Sequence, residues 1–351
     1  MHRILLGLTL GSILSIAGDP APAVRAVRRP ENPIVTEAML PGDDGASING
    51  PSLIAVPKWV RKPLGRYYLY FAHHAGKYIR MAYADQPQGP WKMHAPGVLN
   101  LTDQRAVRGH VASPEVVVDE AGRRVYLFYH GKSGAIPSAS DEPEPGQQSA
   151  VAVSTDGVTF RPLNRIVGPS YLRVFQYRKT WYGLTGRGAL LKAASLESRF
   201  QPVGQLIGDD IPTLLDPVRL GEPGAKSDRP LTGPDRYSIR HSGVDVVGDR
   251  LAIYFTCVGH RPERIFVTFV DLKGAPETWR ARGATEVLRP VEAWEGVRLP
   301  LEFSKGGRSR AWENGIRDPA VFRENGKAWL LYSTAGEHGL GIADLYYGGV
   351  Q

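Results

Sequence analysis

Arg317-Asp318-Pro319-Ala320-Val321-Phe322, Lys327-Ala328-Trp329-Leu330-Leu331-Tyr332 and Leu340-Gly341-Ile342-Ala343-Asp344-Leu345 follow one another near the end of the chain. Each run is short, rich in aliphatic and aromatic residues, and bounded by turn-forming residues. That grammar predicts three consecutive β-strands, the first opened by an Asp-Pro pair. The same triplet occurs four more times upstream. Its opening strands are Pro51–Val56, Ser113–Val118, Tyr171–Phe175 and His241–Val246. Its aromatic-rich central strands are Arg66–Ala72, Val125–Tyr129, Thr180–Leu184 and Leu251–Cys257. Its third strands are Tyr78–Tyr83, Ala150–Ser154, Gly188–Lys192 and Arg264–Phe269. Starts recur roughly every 60 to 75 residues, the mark of a repeat architecture.

Fourth strands are expected at Pro90–Met93, Thr159–Pro162, Phe200–Val203 and Thr278–Ala281. The fifth triplet has almost no chain left for one, whereas Pro33-Ile34-Val35-Thr36 has no triplet of its own. The economical solution is an all-β, five-bladed β-propeller over residues 32–351, closed by this N-terminal strand, which leaves few open sheet edges. The Pro- and acid-rich stretches Ile136–Gln148 and Gly208–Asp235 read as surface excursions within the one domain.

Residues 1–23 read as an export signal: Met1-His2-Arg3 is basic, Ile4–Ala17 is apolar but short for a bilayer, and Ala21-Pro22-Ala23 offers small residues for cleavage. The expected location is secreted or periplasmic, with no membrane span. The single cysteine, Cys257, lies in an apolar strand, so it reads as a buried structural thiol. The net charge of +8 is spread along the chain without a Lys/Arg run. Together with export, this disfavours nucleic acid as a partner and leaves an acidic polysaccharide open.

In a propeller the first strand of each blade lines the central channel, and its first residues crowd toward one mouth. The polar residues at those positions are Asn49 and Ser52, then His110, Ser113 and Glu115, then Tyr171 and Arg173, then Arg240, His241 and Ser242, then Asn314, Arg317 and Asp318. A second set follows the central strands: His73, His74, His130, His260, Glu263 and Glu337. Five blades thus converge polar groups on one region, which is how a closed scaffold builds a concave site. Asp318 and Glu115 are the carboxylates most clearly on inner strands and are the candidate catalytic pair for acetal hydrolysis, with His241 beside them. The histidines show no metal-ligand spacing, so neither a metal nor another cofactor is expected, and hydrogen bonding to sugar hydroxyls or proton transfer fits them better. Arg173, Arg240 and Arg317 either grip an anionic sugar or pair with neighbouring acids. Trp59, Trp294 and Trp312 lie in loops and are candidate sugar-stacking platforms.

Ile316-Arg317-Asp318-Pro319-Ala320-Val321 with Ala328-Trp329-Leu330-Leu331-Tyr332-Ser333 resembles the Asp-Pro blade opening of glycoside hydrolase family 43, and Ser113-Pro114-Glu115-Val116 is similar to that family's Ala-Pro-Asp/Glu blade. The resemblance implies a carbohydrate substrate, a catalytic base at Asp318 and a modulating carboxylate at Glu115. The chain departs from the pattern in two ways. Its Asp-Pro blade comes last while blade one, Asn49-Gly50-Pro51-Ser52, has no acid. Nor does it have a clear counterpart of the general-acid glutamate, for which Glu263, Glu302, Glu337 or a histidine are candidates. The expected function is therefore an exported glycoside hydrolase of a polysaccharide or oligosaccharide. A polysaccharide lyase acting on uronates and a non-catalytic sugar-binding propeller are the rivals.

Overall fold

The computed structural model describes residues 23–133, 146–208, 210–211, 215, 238–309 and 311–348. Residues 1–22 of the expected export signal and most of the two loops read as surface excursions lie outside the described residues. The strands are β1 (Val24–Arg28) and β2 (Val35–Thr36), followed by five groups. Blade one holds β3 (Asn49–Ala55), β4 (Tyr67–Ala72), β5 (Tyr78–Ala84) and β6 (Lys92–Asn100). Blade two holds β7 (Val107–Asp119), β8 (Arg124–Ser133), β9 (Gln147–Ser154) and β10 (Arg161–Pro169). Blade three holds β11 (Arg173–Tyr177), β12 (Thr180–Leu184), β13 (Ala189–Ala193) and β14 (Gln201–Gln205). Blade four holds β15 (Ser238–Val247), β16 (Arg250–Val258), β17 (Ile265–Asp271) and β18 (Thr285–Leu288). Blade five holds β19 (Arg317–Glu324), β20 (Lys327–Ser333) and β21 (Gly339–Tyr347). Each group is one antiparallel sheet in chain order, so the chain is a five-bladed all-β propeller.

Closure is longer than the sequence suggests. Val35–Thr36 does pair with the start of β21, but the outer strand of blade five is chiefly β1, in register from Val24 opposite Tyr347 to Arg28 opposite Ala343. The sheet therefore begins before the boundary at residue 32. Val24-Arg25-Ala26-Val27-Arg28 alternates half-buried and exposed, the pattern of an edge strand with one covered face. The expected fourth strand of blade four also moves: Pro276–Thr278 is a single 3-10 turn, and the strand follows at Thr285–Leu288. One physical reason covers the other outer strands. Trp91, Phe160, Phe200 and Trp279 are all buried. They anchor the chain just before the outer strand instead of forming part of it, so an aromatic signal points a few residues too early.

The core is five interfaces between blades. In β4, Tyr68 and Tyr70 pack toward blade two with Leu127 and Tyr129, while Tyr67, Leu69 and Phe71 pack toward blade five with Phe322 and Leu331. Alternate side chains of one strand thus enter two different cores, which is why all six residues of β4 are buried. Blades two and three share Phe128, Leu191 and Phe200, blades three and four share Tyr182, Phe255 and Trp279, and blades four and five share Tyr254, Leu330 and Tyr332. Cys257 is a buried member of the core between blades three and four, and burial pushes its thiol pKa up. Trp59 and Trp294 pack against these cores, leaving Trp312, 49% exposed, as the one of the three loop tryptophans with a large open face.

The inner strands carry a common device at the channel mouth. Their pairing to the next strand shifts register between Asn49 and Ser52, between Ala112 and Glu115, between Ile239 and Ser242, and between Arg317 and Ala320. In three blades the bulge is a left-handed residue followed by proline: Gly50 (φ 60°), Ser113 (φ 44°) and Asp318 (φ 54°) precede Pro51, Pro114 and Pro319. Proline cannot donate to the ladder, so within a sheet it needs such a bulge. Gly50 has the tightest constraint, because a Cβ there would lie 3.1 Å from the Cα of Ser113. Gly50→Ala is expected to destabilise the fold by about 1–2 kcal/mol from the left-handed backbone alone. Equilibrium urea unfolding checks this, and a change below a few tenths would refute the strain argument.

Candidate active site

The bulges sort the inner-strand residues into two layers. The upper layer, at the mouth, presents one residue per blade to a polar pocket: Asn49, Ser113, Tyr171, His241 and Asp318. The lower layer presents Ser52, Glu115, Arg173, Gly243 and Ala320 to a second cavity further down the channel. Two residues of strand separate Ser113 from Glu115, a step of roughly 7 Å. The hairpin and turn residues His74, His110, His130, Gln147 and Glu337 complete the upper pocket.

The structure therefore brings together Asn49, His74, His110, Ser113, His130, Tyr171, His241, Asp318 and Glu337 from the sequence candidates. It does not bring Glu115 to them. Glu115 is held in the lower layer by Arg173 Nη1 at 2.7 Å, and burial outweighs that guanidinium to raise its pKa. Arg173 also donates from Nε to Ser242 O (2.7 Å) and from Nη1 to Pro114 O (3.1 Å), so it ties blades two, three and four together. Arg240 and Arg317 do not line the pocket but surround Glu263, with Arg240 Nε 3.0 Å from Oε1 and Arg317 Nη2 3.0 Å from Oε2. Thr256 Oγ1 donates to Glu263 Oε1 at 2.8 Å, and Arg317 Nη2 also meets Glu313 Oε2 at 2.5 Å. All three candidate arginines thus have carboxylate partners. His73 turns away, its Nδ1 accepting from the Ala75 backbone at 3.0 Å, and does not line the pocket. Gln147 completes the polar lining. Gln147, at the end of a loop, carried no signal.

Two carboxylate–imidazole pairs face the pocket. Asp318, 3% exposed, meets His241 Nδ1 through Oδ1 and accepts from Ser333 Oγ through Oδ2 at 2.9 Å. Burial opposes its ionisation, but His241, Arg317 and Arg240 together outweigh burial and hold its pKa well below the usual carboxylate range. Glu337, 1% exposed, lies with Oε1 3.3 Å from His74 Nδ1, and its Oε2 accepts from Asn49 Nδ2 (2.9 Å) and Ser47 Oγ (3.1 Å). Burial again works against ionisation, and His74 and Arg317 prevail, lowering its pKa.

A row of rings lines the wall between these pairs. Tyr171 lies between His130 and His241, each centroid 4.2 Å away, and His110 stands edge-on to His130 at 5.8 Å. His130 is 1% exposed, and its buried Nδ1 has no hydrogen-bond partner among the described residues. Burial, then the neighbouring cations, drives its pKa well below 6.5 and lowers that of His110. Both are neutral imidazoles at pH 7, suited to uncharged hydroxyl groups. Among the described residues no group of three or more His, Cys, Asp or Glu side chains is arranged to hold a metal ion.

Buried neutral histidines also set an acid limit on the fold. His260 is fully buried, and burial, followed by Arg264, depresses its pKa to about 3. The unfolded chain takes up that proton near pH 6.5 and the folded chain does not. The stabilisation is therefore complete above pH 6.5 and is lost as pH falls toward the folded value. One such group contributes about 1.4 kcal/mol per pH unit in that window. His260→Leu is expected to lose less stability than the wild type between pH 6.5 and 4.5, by about 2–3 kcal/mol. Urea unfolding at the two pH values measures it, and parallel losses would refute the assignment.

No protein-family model matches the chain. Similar in fold is a GH43 β-xylosidase/α-arabinofuranosidase from a compost microbial metagenome, solved with xylotriose in a calcium-free form, with a TM-score of 0.55 and 12% identity over 92% of this chain and 94% of that one. Another is the α-L-arabinofuranosidase of Lactobacillus brevis, with a TM-score of 0.54 and 10% identity over 89% and 92%. At these identities the likeness is one of fold. In sequence, the chain is 32% identical over 342 residues, 91% of its length and 90% of the relative's, to "Uncharacterized protein R118" of Acanthamoeba polyphaga mimivirus. The chain therefore belongs to the family of that mimiviral protein, built on the five-bladed propeller that GH43 glycoside hydrolases share.

Proposed function

We propose that this chain is an exported glycoside hydrolase that releases a terminal sugar from an oligosaccharide or polysaccharide at the mouth of its channel. The observation that carries the reading is Asp318: a buried carboxylate kept ionised by its neighbours, opening a blade with Asp-Pro and lining a pocket to which all five blades contribute. An ionised carboxylate at that point stabilises the positive charge that develops at an anomeric carbon and accepts a proton from attacking water. His241 positions it. The neutral wall of His110 and His130 and the paired arginines favour an uncharged sugar over an anionic one. The activities of the fold neighbours make xylosides and arabinosides the first substrates to try.

The test is a panel of plant, algal and bacterial oligosaccharides incubated with the chain and read for new reducing ends. Release from one class, absent in Asp318→Asn, supports the reading. An unsaturated product absorbing in the ultraviolet, without water uptake, would make the chain a lyase. Tight calorimetric binding with no turnover would make it a binding propeller.

A further inference from the structure

A hydrolase with Asp318 on the water side needs a proton donor on the leaving-group side, and this inference rests on that reading. Among the described residues the pocket is lined by two carboxylates only, Asp318 and Glu337. Glu337 is a poor donor. Its Oε2 accepts two hydrogen bonds and its Oε1 faces His74 and the Ser309 backbone N–H at 3.4 Å, with Arg317 Nη1 at 3.8 Å. Every one of these partners stabilises the ionised form, and its pKa is lowered accordingly. Glu263 is closed off by Arg240, Arg317 and Thr256, and Glu115 is a layer below.

Four histidines line the pocket. His110 and His130 have depressed pKa values and are neutral, and His241 is committed to Asp318. His74 differs from all three. Its Nδ1 faces a second, ionised carboxylate, and its side chain is 27% exposed, so it can recover a proton from solvent. Its backbone N–H donates to Ser47 Oγ at 3.1 Å, and that hydroxyl donates in turn to Glu337, so the turn carrying His74 and the carboxylate are braced together. Its Nε2 makes no hydrogen bond among the described residues.

We propose that His74 is the general acid of this site, with Glu337 as the positioning residue that holds its imidazolium. In the reaction, His74 Nε2–H gives its proton to the glycosidic oxygen as the bond from that oxygen to the anomeric carbon breaks. The oxygen of water bonds to the anomeric carbon and its proton passes to Asp318. His74 then regains a proton from solvent as Asp318 releases one, so one water is consumed per bond cleaved. Besides Glu337, the titratable groups facing His74 are His110 and His130 from blade two.

A leaving group that needs no protonation separates this role from a structural one. The probes are xylobiose and arabinobiose on one side and dinitrophenyl β-xyloside and dinitrophenyl α-L-arabinofuranoside on the other. His74→Asn is expected to lose about 10²–10⁴-fold in kcat/KM on the disaccharides, to stay within tenfold of wild type on the dinitrophenyl glycosides, and to lose the alkaline limb of the pH profile. Glu337→Gln should show the same selectivity by leaving group with a smaller loss. Equal losses on both probe types, or an unchanged alkaline limb, overturn the assignment of His74 while leaving a hydrolase. A wild type that cleaves none of the four probes overturns the hydrolase reading for these sugars, and the assignment with it.

Discussion

Asp318→Asn is expected to lower kcat/KM on the substrate found by the glycan panel by about 10²–10⁴-fold while leaving the fold intact. Asparagine is the substitution that isolates charge. Position 318 has φ 54°, and Asn is one of the few residues that tolerates the left-handed region, so the bulge before Pro319 survives. The amide can keep a hydrogen bond to Ser333 Oγ but cannot be ionised. The loss should persist on dinitrophenyl glycosides as well, because in the proposed reaction Asp318 acts on water and on the anomeric carbon, not on the leaving group. That contrast with His74→Asn assigns the two sides of the bond. The pH profile gives a further readout. With its pKa held low by His241, Arg317 and Arg240, Asp318 stays ionised across the pH 4–8 range. Any acid limb of the wild-type profile within that range therefore belongs to another group. An Asp318→Asn variant within tenfold of wild type would remove Asp318 from the chemistry.

The propeller was legible because its signal is local. A central strand such as Tyr67–Ala72 is buried on both faces by two different blades, so its whole length is apolar, and five such runs at regular spacing leave little choice of fold. Positions at the mouth were legible for a related reason: Asp-Pro, Ser-Pro and Gly-Pro mark the bulges, and nine of the sequence candidates meet in one pocket. Depth was not legible. Ser113 and Glu115 belong to the same strand, and only the bulge decides that the serine lines the pocket while the glutamate lies one layer down. Nor were the partners of the arginines. Arg317 and Glu263 are far apart in sequence and meet only when blades four and five pack, so charge alone could not tell a substrate clamp from a structural ion pair. The closing strand was half missed because Val24–Arg28, with one face open to solvent, has the weak alternation of an edge.

The largest effect on stability is expected at Arg317. This guanidinium is 1% exposed and joins Glu263 from blade four to Glu313 and Glu337 at the mouth of blade five. Removing one partner of a buried ion pair strands the other charge, at a cost of about 3–5 kcal/mol. Glu263 would retain Arg240 and Thr256, so Arg317→Met should fall toward the lower end, about 3 kcal/mol. Replacing both members, as Arg317→Met with Glu263→Gln, removes the uncompensated carboxylate and should restore part of the loss, giving a coupling of about 1–3 kcal/mol in a double-mutant cycle. Urea unfolding of the four proteins measures it. A single-variant loss below about 1 kcal/mol would mean that water reaches Glu263 and that the cluster is not dry. The cycle bears on function as well. Arg317 is among the cations that keep Asp318 ionised, so the Met variant should raise the pKa of that carboxylate, even in the double variant where the fold has recovered. Stability and catalysis thus share one guanidinium, and the double variant separates them: recovered folding with an Asp318 still easier to protonate is the expected outcome.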